Sequence, residues 1–293
     1  MGIQFKETWG EVDLSKSIKM WRSREAGGCA ISIETQAYCN LNCPECPRTL
    51  DPTRSRFNSD GTPILTQMPT DKVLNLIDQA ADMGWKGAIH FSHYSEPLAD
   101  PRFMKFSRYA LSKGMTPELY TNGELLTEEL VKQIDGVIPY VVLSFRTPGS
   151  QRFWETVFKK SKVRITKSYQ VLIWNPQKKL LEESIKRVRG KPCVGQLFTA
   201  FRINYDGQMS MCYADFNNEF GLLNAFDHSL EELWFGKEHR AAVKEMSATG
   251  SRRKRALCSI CPEVYPDKGS YVKVEREDTP PVDWLRRLGL YEK

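Results

Sequence analysis

From residue 30 to residue 203, short apolar runs alternate with amphipathic stretches, and this alternation restricts the fold more than any other feature of the chain. Apolar runs bounded by turn residues read as strands, and apolar residues recurring at three and four positions read as helices packed on them. Strands are expected at Ala30 to Thr35, Ala88 to His93, Pro117 to Thr121, Tyr140 to Phe145, Tyr169 to Trp174 and Leu197 to Ile203. Helices are expected between them at Thr70 to Met83, Pro101 to Ser112, Glu128 to Ile134, Gln151 to Lys159 and Gln177 to Val188. Asp71 in the first turn of the first helix and Gly84 just past its end are ordinary terminus signals. The pattern predicts an α/β chain built as a parallel barrel or partial barrel, although an open doubly wound sheet would alternate in the same way. Near residue 193 the style changes to segments punctuated by Gly, Asn and Cys, which puts a domain boundary close to Lys191. The expected division is an extension over 1–29, a core over 30–190 whose last strand runs on to about 203, a second unit over 191–265, and a tail over 266–293 with a short helix at Val282 to Leu290.

Composition narrows the class. Hydrophobic residues are 41% and charged residues 27% of the 293, close to the globular average, which excludes a disordered or collagen-like chain. No stretch reaches the roughly 18 apolar residues of a membrane span, and MGIQFKETWG lacks the apolar core of a secretory signal. Met-Gly is not a myristoylation site either, because position 6 is Lys. The expectation is a soluble, cytoplasmic protein with no membrane partner. A net charge of +6 is too mild to point to nucleic acid and suits an anionic substrate or an acidic protein partner.

Cysteine usage carries the chemistry. In a reducing compartment, clustered thiols are metal ligands or catalytic groups rather than a disulfide framework. Cys39, Cys43 and Cys46 are spaced C-x3-C-x2-C on the loop that follows the first expected strand, where barrel active sites are built. Three thiolates with no fourth nearby suit an iron-sulfur cubane with one iron left open to a small molecule; a zinc knuckle or buried thiols are the alternative. Cys193, Cys212, Cys258 and Cys261 form a second group, C-x13-G-x4-C followed by C-x2-C. Four thiolates close a site completely, and by spacing alone structural zinc competes with iron-sulfur there.

The loop Cys39-Asn40-Leu41-Asn42-Cys43-Pro44-Glu45-Cys46 resembles that of the radical S-adenosylmethionine (SAM) superfamily, which carries the same cysteine spacing after its first strand. The resemblance covers about residues 30 to 203. It implies a partial (β/α)6 TIM-like barrel and a [4Fe-4S] cluster whose open iron chelates SAM. It also implies reductive cleavage of SAM to a 5'-deoxyadenosyl radical that takes a hydrogen atom from substrate. Glu45 departs from the pattern, since an aromatic residue near the adenine is frequent there. Ser92-His93-Tyr94-Ser95-Glu96-Pro97 looks like the family's GGEP segment, with Tyr94 and Ser95 standing where two glycines are usual. By that likeness Glu96 and Ser95 contact the cofactor, Glu96 accepting from its ammonium group. Thr121-Asn122-Gly123 and Ser144 are similar to family positions near the methionyl and ribose groups, although T-N-G is also simply a turn.

The sequence from Asn204 to Cys212, with Gly221-Leu222-Leu223, Ser229 to Trp234 and Leu257 to Pro262, resembles the SPASM/twitch extension of these enzymes. The resemblance implies an auxiliary [4Fe-4S] cluster on Cys193, Cys212, Cys258 and Cys261, in the shorter twitch form. Cys29 is left over and reads as a buried thiol, with hydrogen-atom donation as its alternative. Arg252-Arg253-Lys254-Arg255 reads as a solvated basic run; as a functional patch it would dock an external reductant such as flavodoxin or ferredoxin. It lacks the interleaved aromatics of an RNA-binding segment. His90, His93, His228 and His239 show no metal-ligand spacing.

The resulting expectation is a radical SAM oxidoreductase, dehydrogenase-like, acting on a small polar molecule. In architecture it resembles the 2-deoxy-scyllo-inosamine dehydrogenase type, whose four auxiliary cysteines are similarly placed. His93 and Arg146 are the candidates for taking a proton, and Tyr94 and Arg146 for lining the pocket. A peptide-modifying maturase or an epimerase is the alternative within enzymes. A two-cluster electron-transfer protein, or a zinc- and RNA-binding module, is the alternative outside them.

Overall fold

The structure is a computed structural model, and it describes residues 30–43, 46, 66–144, 153–154, 156–159, 161–167, 200–212, 215, 218–248 and 250–259. Five strands run in chain order through the first part: β1 (Ala30–Ile33), β2 (Ala88–His90), β3 (Thr116–Thr121), β4 (Tyr140–Leu143) and β5 (Arg164–Lys167). Between them lie α1 (Thr70–Asp82), α2 (Phe103–Ser112) and α3 (Glu128–Ile134), and residues 153–154 and 156–158 are helical. β6 (Ala200–Ile203) and β7 (Met209–Ser210) then form a hairpin, followed by α4 (Leu230–Phe235), α5 (Lys237–Ser247) and α6 (Ala256–Ser259).

The helices form where their buried positions fall on one stripe. Val73, Leu76, Ile77 and Ala80 of α1, and Phe103, Phe106, Ser107 and Ala110 of α2, follow the same i, i+3, i+4, i+7 spacing. Gly84 and Gly114 end these two helices at φ of 81° and 84°. α3 starts on the Thr127 side chain, which accepts from the Leu130 N–H, and α4 starts on a capping box of Ser229 and Glu232.

All seven strands share one sheet in the order β5-β4-β3-β2-β1-β6-β7. Every pairing from β5 to β6 is parallel, and only β6–β7 is antiparallel. The last parallel strand therefore lies beside β1, not beyond β5, with Ala30↔Ala200 through Ile33↔Ile203 in register. It belongs to both expected domains at once, since its other edge pairs with β7.

Alternation gives the sheet two different faces. Ile31, Ile33, Ile89, Leu119, Val141, Leu143, Phe201 and Ile203 are 3% exposed or less and join the helices in one apolar core. The opposite face carries Ser32, His90, Glu118, Tyr140 and Arg202 in a single register row. The C-terminal unit packs back on α1: the Leu230 N–H donates to Gln79 Oε1 at 2.8 Å, and Trp234 meets Phe201 edge-on at 5.0 Å.

Of the expected elements, five strands and three helices stand near their predicted places, and the helical residues 153–154 and 156–158 fall inside the helix expected at Gln151 to Lys159. β5 differs. The prediction put the fifth strand at Tyr169 to Trp174, outside the described residues, whereas Arg164–Lys167 pairs with β4 in register. The helices at Gln177 to Val188 and Val282 to Leu290, the extension 1–29 with Cys29, and Arg146, Cys193 and Cys261 also lie outside them. Among the described residues no helix is long and apolar enough to cross a membrane.

Candidate active site at the carboxyl ends of the strands

Parallel strands bring the residues that follow them to one rim, and most of the predicted site residues meet there. The chain that leaves β1 is pinched where it departs and where it returns, at residues 35–37 and 66–68. The Met68 N–H donates to the Thr35 carbonyl at 2.9 Å, the Ala37 N–H to the Thr66 carbonyl at 2.8 Å, and Gln36 bridges Gln67. Arg102 closes the pinch. Its guanidinium donates to the Thr35 and Met68 carbonyls at 3.1 and 2.9 Å and to both carboxylate oxygens of buried Asp100 at 2.9 and 2.8 Å.

Cys39, Cys43 and Cys46 all lie on this loop, half-buried and unoxidised. The Cys46 N–H donates to the Cys43 carbonyl at 3.0 Å, which turns the chain between them. The three sulfurs share the loop without converging, and among the described residues no three ligating side chains meet at one point. A site of this kind is completed by its metal, since ligand geometry and metal binding form together.

Asn122, just past β3, ties that loop to the next strands. Its amide nitrogen lies 2.9 Å from Asn40 Oδ1 and 3.9 Å from Cys39 Sγ, where it donates to the thiol sulfur. Glu96 fixes Asn122 in turn. One carboxylate oxygen accepts from Thr121 Oγ1 at 2.6 Å and the Leu98 N–H at 3.1 Å, and the other accepts from the Asn122 N–H at 2.9 Å. Glu96 is 3% exposed, and burial pushes its carboxyl above the usual range while the Thr121, Asn122 and Leu98 donors pull it back. The carboxylate thus anchors the end of β3, a part the sequence did not disclose. The oxygen facing Asn122 has accepting capacity left.

Ser95 stands beside it with a buried hydroxyl oxygen that has no partner. Ser144 follows β4 and donates its N–H to the Thr121 carbonyl at 2.9 Å. His93 is turned toward β6, its Nδ1 lying 2.9 Å from Asn204 Oδ1, and its ring stacks on Tyr94 at 3.8 Å. Because Asn204 Oδ1 also accepts from Ser210 Oγ at 3.3 Å, the His93 nitrogen is the donor in that pair. Tyr94 is 8% exposed and belongs to the packing, with its N–H held by Glu34 Oε1 at 2.9 Å. Glu34 and Asn204 are rim residues that sequence reasoning missed; a carboxylate closing the apolar run Ala30 to Ile33 was the signal for the first.

Three cysteines outside any disulfide on one clamped segment, with an unpaired buried Ser95 hydroxyl at the same rim, suit a thiolate-held cluster with a polar small molecule beside it. Two family models match the chain: the Radical SAM superfamily over residues 33–168, and SPASM, an iron-sulfur cluster-binding domain, over residues 193–262. The chain belongs to the radical SAM superfamily, with a SPASM/twitch-type auxiliary domain. Its cofactors are a [4Fe-4S] cluster, SAM and an auxiliary iron-sulfur site.

The AdoMet-dependent heme synthase of Methanosarcina barkeri (strain Fusaro / DSM 804) is 34% identical over 104 residues, 36% of this chain and 27% of that protein. The match thus spans about a quarter of the relative's length. Among solved structures, BtrN in complex with AdoMet and 2-DOIA superimposes with a TM-score of 0.64 at 20% identity, covering 83% of this chain and 95% of that one. The structure of anSMEcpe with bound AdoMet gives 0.53 at 15% identity, covering 80% and 84%. At these identities the likeness is one of fold.

In the SPASM region Cys212 follows β7 half-buried, and Cys258 is buried in α6. The glycine of the C-x13-G-x4-C motif is Gly207, which turns the β6–β7 hairpin at φ 83°. A Cβ there would also collide with Asn224 and the Phe226 ring, so the position excludes side chains twice over. Asp215 is fully buried and its carboxyl is pushed up to about 6 by burial, against the Met211 and Glu219 N–H donors.

The basic run 252–255 is not the solvated face the sequence suggested. Arg252 is 2% exposed, and Arg255 pairs with Glu245 through two bonds of 2.9 Å while lying 4.1 Å over the Phe220 ring. A 3-10 turn at Ser251–Arg253 rotates successive side chains to different sides, which leaves Arg253 and Lys254 exposed.

Proposed function

We propose that this radical SAM enzyme oxidises a small polar molecule by removing two electrons, with the auxiliary cluster accepting the second. On this reading Cys39, Cys43 and Cys46 hold the SAM-binding [4Fe-4S] cluster, and Cys193, Cys212, Cys258 and Cys261 hold the auxiliary one. Together the clusters and SAM supply one-electron chemistry, hydrogen-atom abstraction followed by electron acceptance. The observation that carries the reading is the continuity of the sheet. β6 pairs with β1, and both strands end at the rim that bears the first cysteine loop, so the auxiliary unit is built into the barrel. Four thiolates leave no open iron for substrate, which suits electron acceptance rather than substrate ligation.

The chain's own residues then have distinct parts. Glu96 and Ser95 hold the amino acid portion of SAM, Glu96 accepting from the ammonium and the unpaired Ser95 hydroxyl oxygen taking a polar contact. Asn122 orients the Cys39 sulfur and, with Ser144, lies against the nucleoside. Arg146 stays a candidate for lining the pocket, its guanidinium being already protonated and so unable to take a proton itself, while His93, held by Asn204, positions the rim. Flavodoxin or ferredoxin supplies the reducing electron, and Arg253 and Lys254 are what the basic run offers it. BtrN, described with AdoMet and 2-DOIA, fits a small polar substrate; peptide modification, or epimerisation by hydrogen return, is the second reading.

The test is anaerobic reconstitution with iron and sulfide, followed by electron balance. About eight irons per chain, two cubanes of the kind thiolates hold, and cleavage of SAM are expected. A product two electrons more oxidised than the substrate supports the proposal. A product isomeric with it overturns dehydrogenation in favour of hydrogen return, with Cys29 then the donor to test. A colourless protein holding zinc overturns the whole reading.

A further inference from the structure

Within the basic run, Arg255 is held by three neighbours at once. Nε and Nη2 donate to the two carboxylate oxygens of Glu245 at 2.9 Å each, and Nη1 donates to the Glu219 carbonyl at 2.6 Å. One face of the guanidinium is covered by the Phe220 ring at 4.1 Å. A planar fork paired in this way keeps a fixed position, which a lone surface arginine does not.

That position lies between the segments that carry Cys212 and Cys258. α6 begins at the next residue and bears Cys258, and the Ser259 N–H donates back to the Arg255 carbonyl at 2.9 Å. On the other side, Glu219 accepts from Arg255 through its carbonyl and donates its own N–H to Asp215 Oδ1 at 2.7 Å. Asp215 Oδ2 accepts from the Met211 N–H at 3.1 Å, and the Asp215 N–H donates to the Cys212 carbonyl at 3.0 Å. The guanidinium thus ties the two cysteine segments together. Its bond to Glu245 holds it charged, and the Cys258 thiol and the Asp215 carboxyl add to the field that does so. The Glu245 carboxyl is in turn lowered by Arg255 and Lys254. The positive end of the pair is therefore the end that acts on Cys258.

We propose that Arg255 tunes the auxiliary cluster: its guanidinium, aimed by Glu245, raises the potential of the cluster held by Cys212 and Cys258, and Glu245 opposes it. The inference rests on the ligand assignment proposed above and adds the residue that sets how readily that cluster takes an electron. Reduction adds one negative charge to a cluster, so a fixed positive charge beside its thiolates favours the reduced form. Because the guanidinium is partly buried against Phe220, salt screens it less than it screens an exposed charge.

The test is potentiometric titration of the reconstituted holoprotein followed by electron paramagnetic resonance, the signal that SAM leaves unchanged being the auxiliary cluster's. Arg255→Gln is expected to lower the one-electron reduction equilibrium of that cluster about tenfold, a shift of about 59 mV to more negative potential. Arg255→Lys keeps the charge without the fork and should stay within about threefold of wild type. Glu245→Gln should move the equilibrium severalfold the opposite way, while the SAM-site cluster keeps its potential in all three variants. An arginine with a structural part alone would give Arg255→Gln and Glu245→Gln the same sign, since both break the same pair. An unchanged potential in Arg255→Gln, a lysine variant as low as the glutamine one, shifts of one sign in Arg255→Gln and Glu245→Gln, or an equal shift of both clusters overturns the proposal. Where Arg255→Gln does not keep its cluster, the sign of the Glu245→Gln shift decides. A wild-type preparation without any cluster signal that SAM leaves unchanged would instead overturn the ligand assignment, so the two failures are told apart.

Discussion

Arg102→Lys tests whether the cysteine loop is held by its base. The guanidinium joins the exit of β1 at Thr35, the entry to α1 at Met68 and the carboxylate of Asp100, whose side chain is 0% exposed against 20% for Arg102. Removing one partner of a buried pair costs about 3–5 kcal/mol. Because a fifth of Arg102 is in water and lysine keeps the charge but not the fork, about 2 kcal/mol is expected for Arg102→Lys and about 4 kcal/mol for Arg102→Ala. Urea unfolding followed by circular dichroism reads this directly. The functional consequence is local: the pinch at residues 35–37 and 66–68 loosens, and on the proposed reading the SAM-site cluster is lost before the auxiliary one. Electron paramagnetic resonance of the reduced protein with and without SAM distinguishes them, since only the cluster that binds SAM changes its signal. Asp100→Asn combined with Arg102→Lys should fall short of the sum of the singles by about 1 kcal/mol or more, because each removes the same bond. A change under about 0.5 kcal/mol, or equal loss of both clusters, would refute the clamp.

Replacing Cys39, Cys43 and Cys46 together by Ala should abolish reductive cleavage of SAM, and continued formation of 5'-deoxyadenosine in that variant counts against the assignment. Glu96→Ala should weaken SAM binding and also lower stability by about 3 kcal/mol, since three donors lose their acceptor; unchanged affinity in titration would leave Glu96 a scaffold group alone. His239 is 2% exposed, and burial depresses its imidazole to about 4 from 6.5 against the pull of the Trp234 carbonyl. The unfolded chain therefore binds the proton first, and stability present above pH 6.5 should fall by about 3 kcal/mol as pH drops through 4, a slope that His239→Asn should remove from unfolding curves.

Much of the fold was legible because local signals agreed with packing. α3 spans the expected Glu128 to Ile134, and the structure shows local reasons for both ends, the Thr127 side-chain cap and the positive-φ Gly136. β5 was missed because Arg164–Lys167 reads as a charged segment, and its pairing with β4 is long-range. The same limit hid the site's supports. Thr121 and Glu96 are far apart in sequence, and nothing in either residue announces that the hydroxyl and the carboxylate meet at 2.6 Å. Arg252 was misread for a related reason: four adjacent basic residues look alike until a tight turn sends one inward.

On the proposed reading, the position of β6 explains how two cysteine groups distant in sequence could serve one reaction. A strand added beyond β5 would have put the auxiliary unit across the barrel opening from β1. Pairing it with β1 instead lets side chains lock the two halves at the rim. The Glu34 N–H donates to the Ile203 carbonyl at 2.8 Å while its carboxylate holds the Tyr94 N–H, and His93 reaches Asn204 from the neighbouring strand end. These bonds join β1, β2 and β6 without passing through the cysteine loop. They fix the register of the sheet beneath the cysteines, where Ser32, His90, Glu118 and Arg202 share one row. Strand ends held together in this way suit a site whose side chains come from several elements and must keep one geometry.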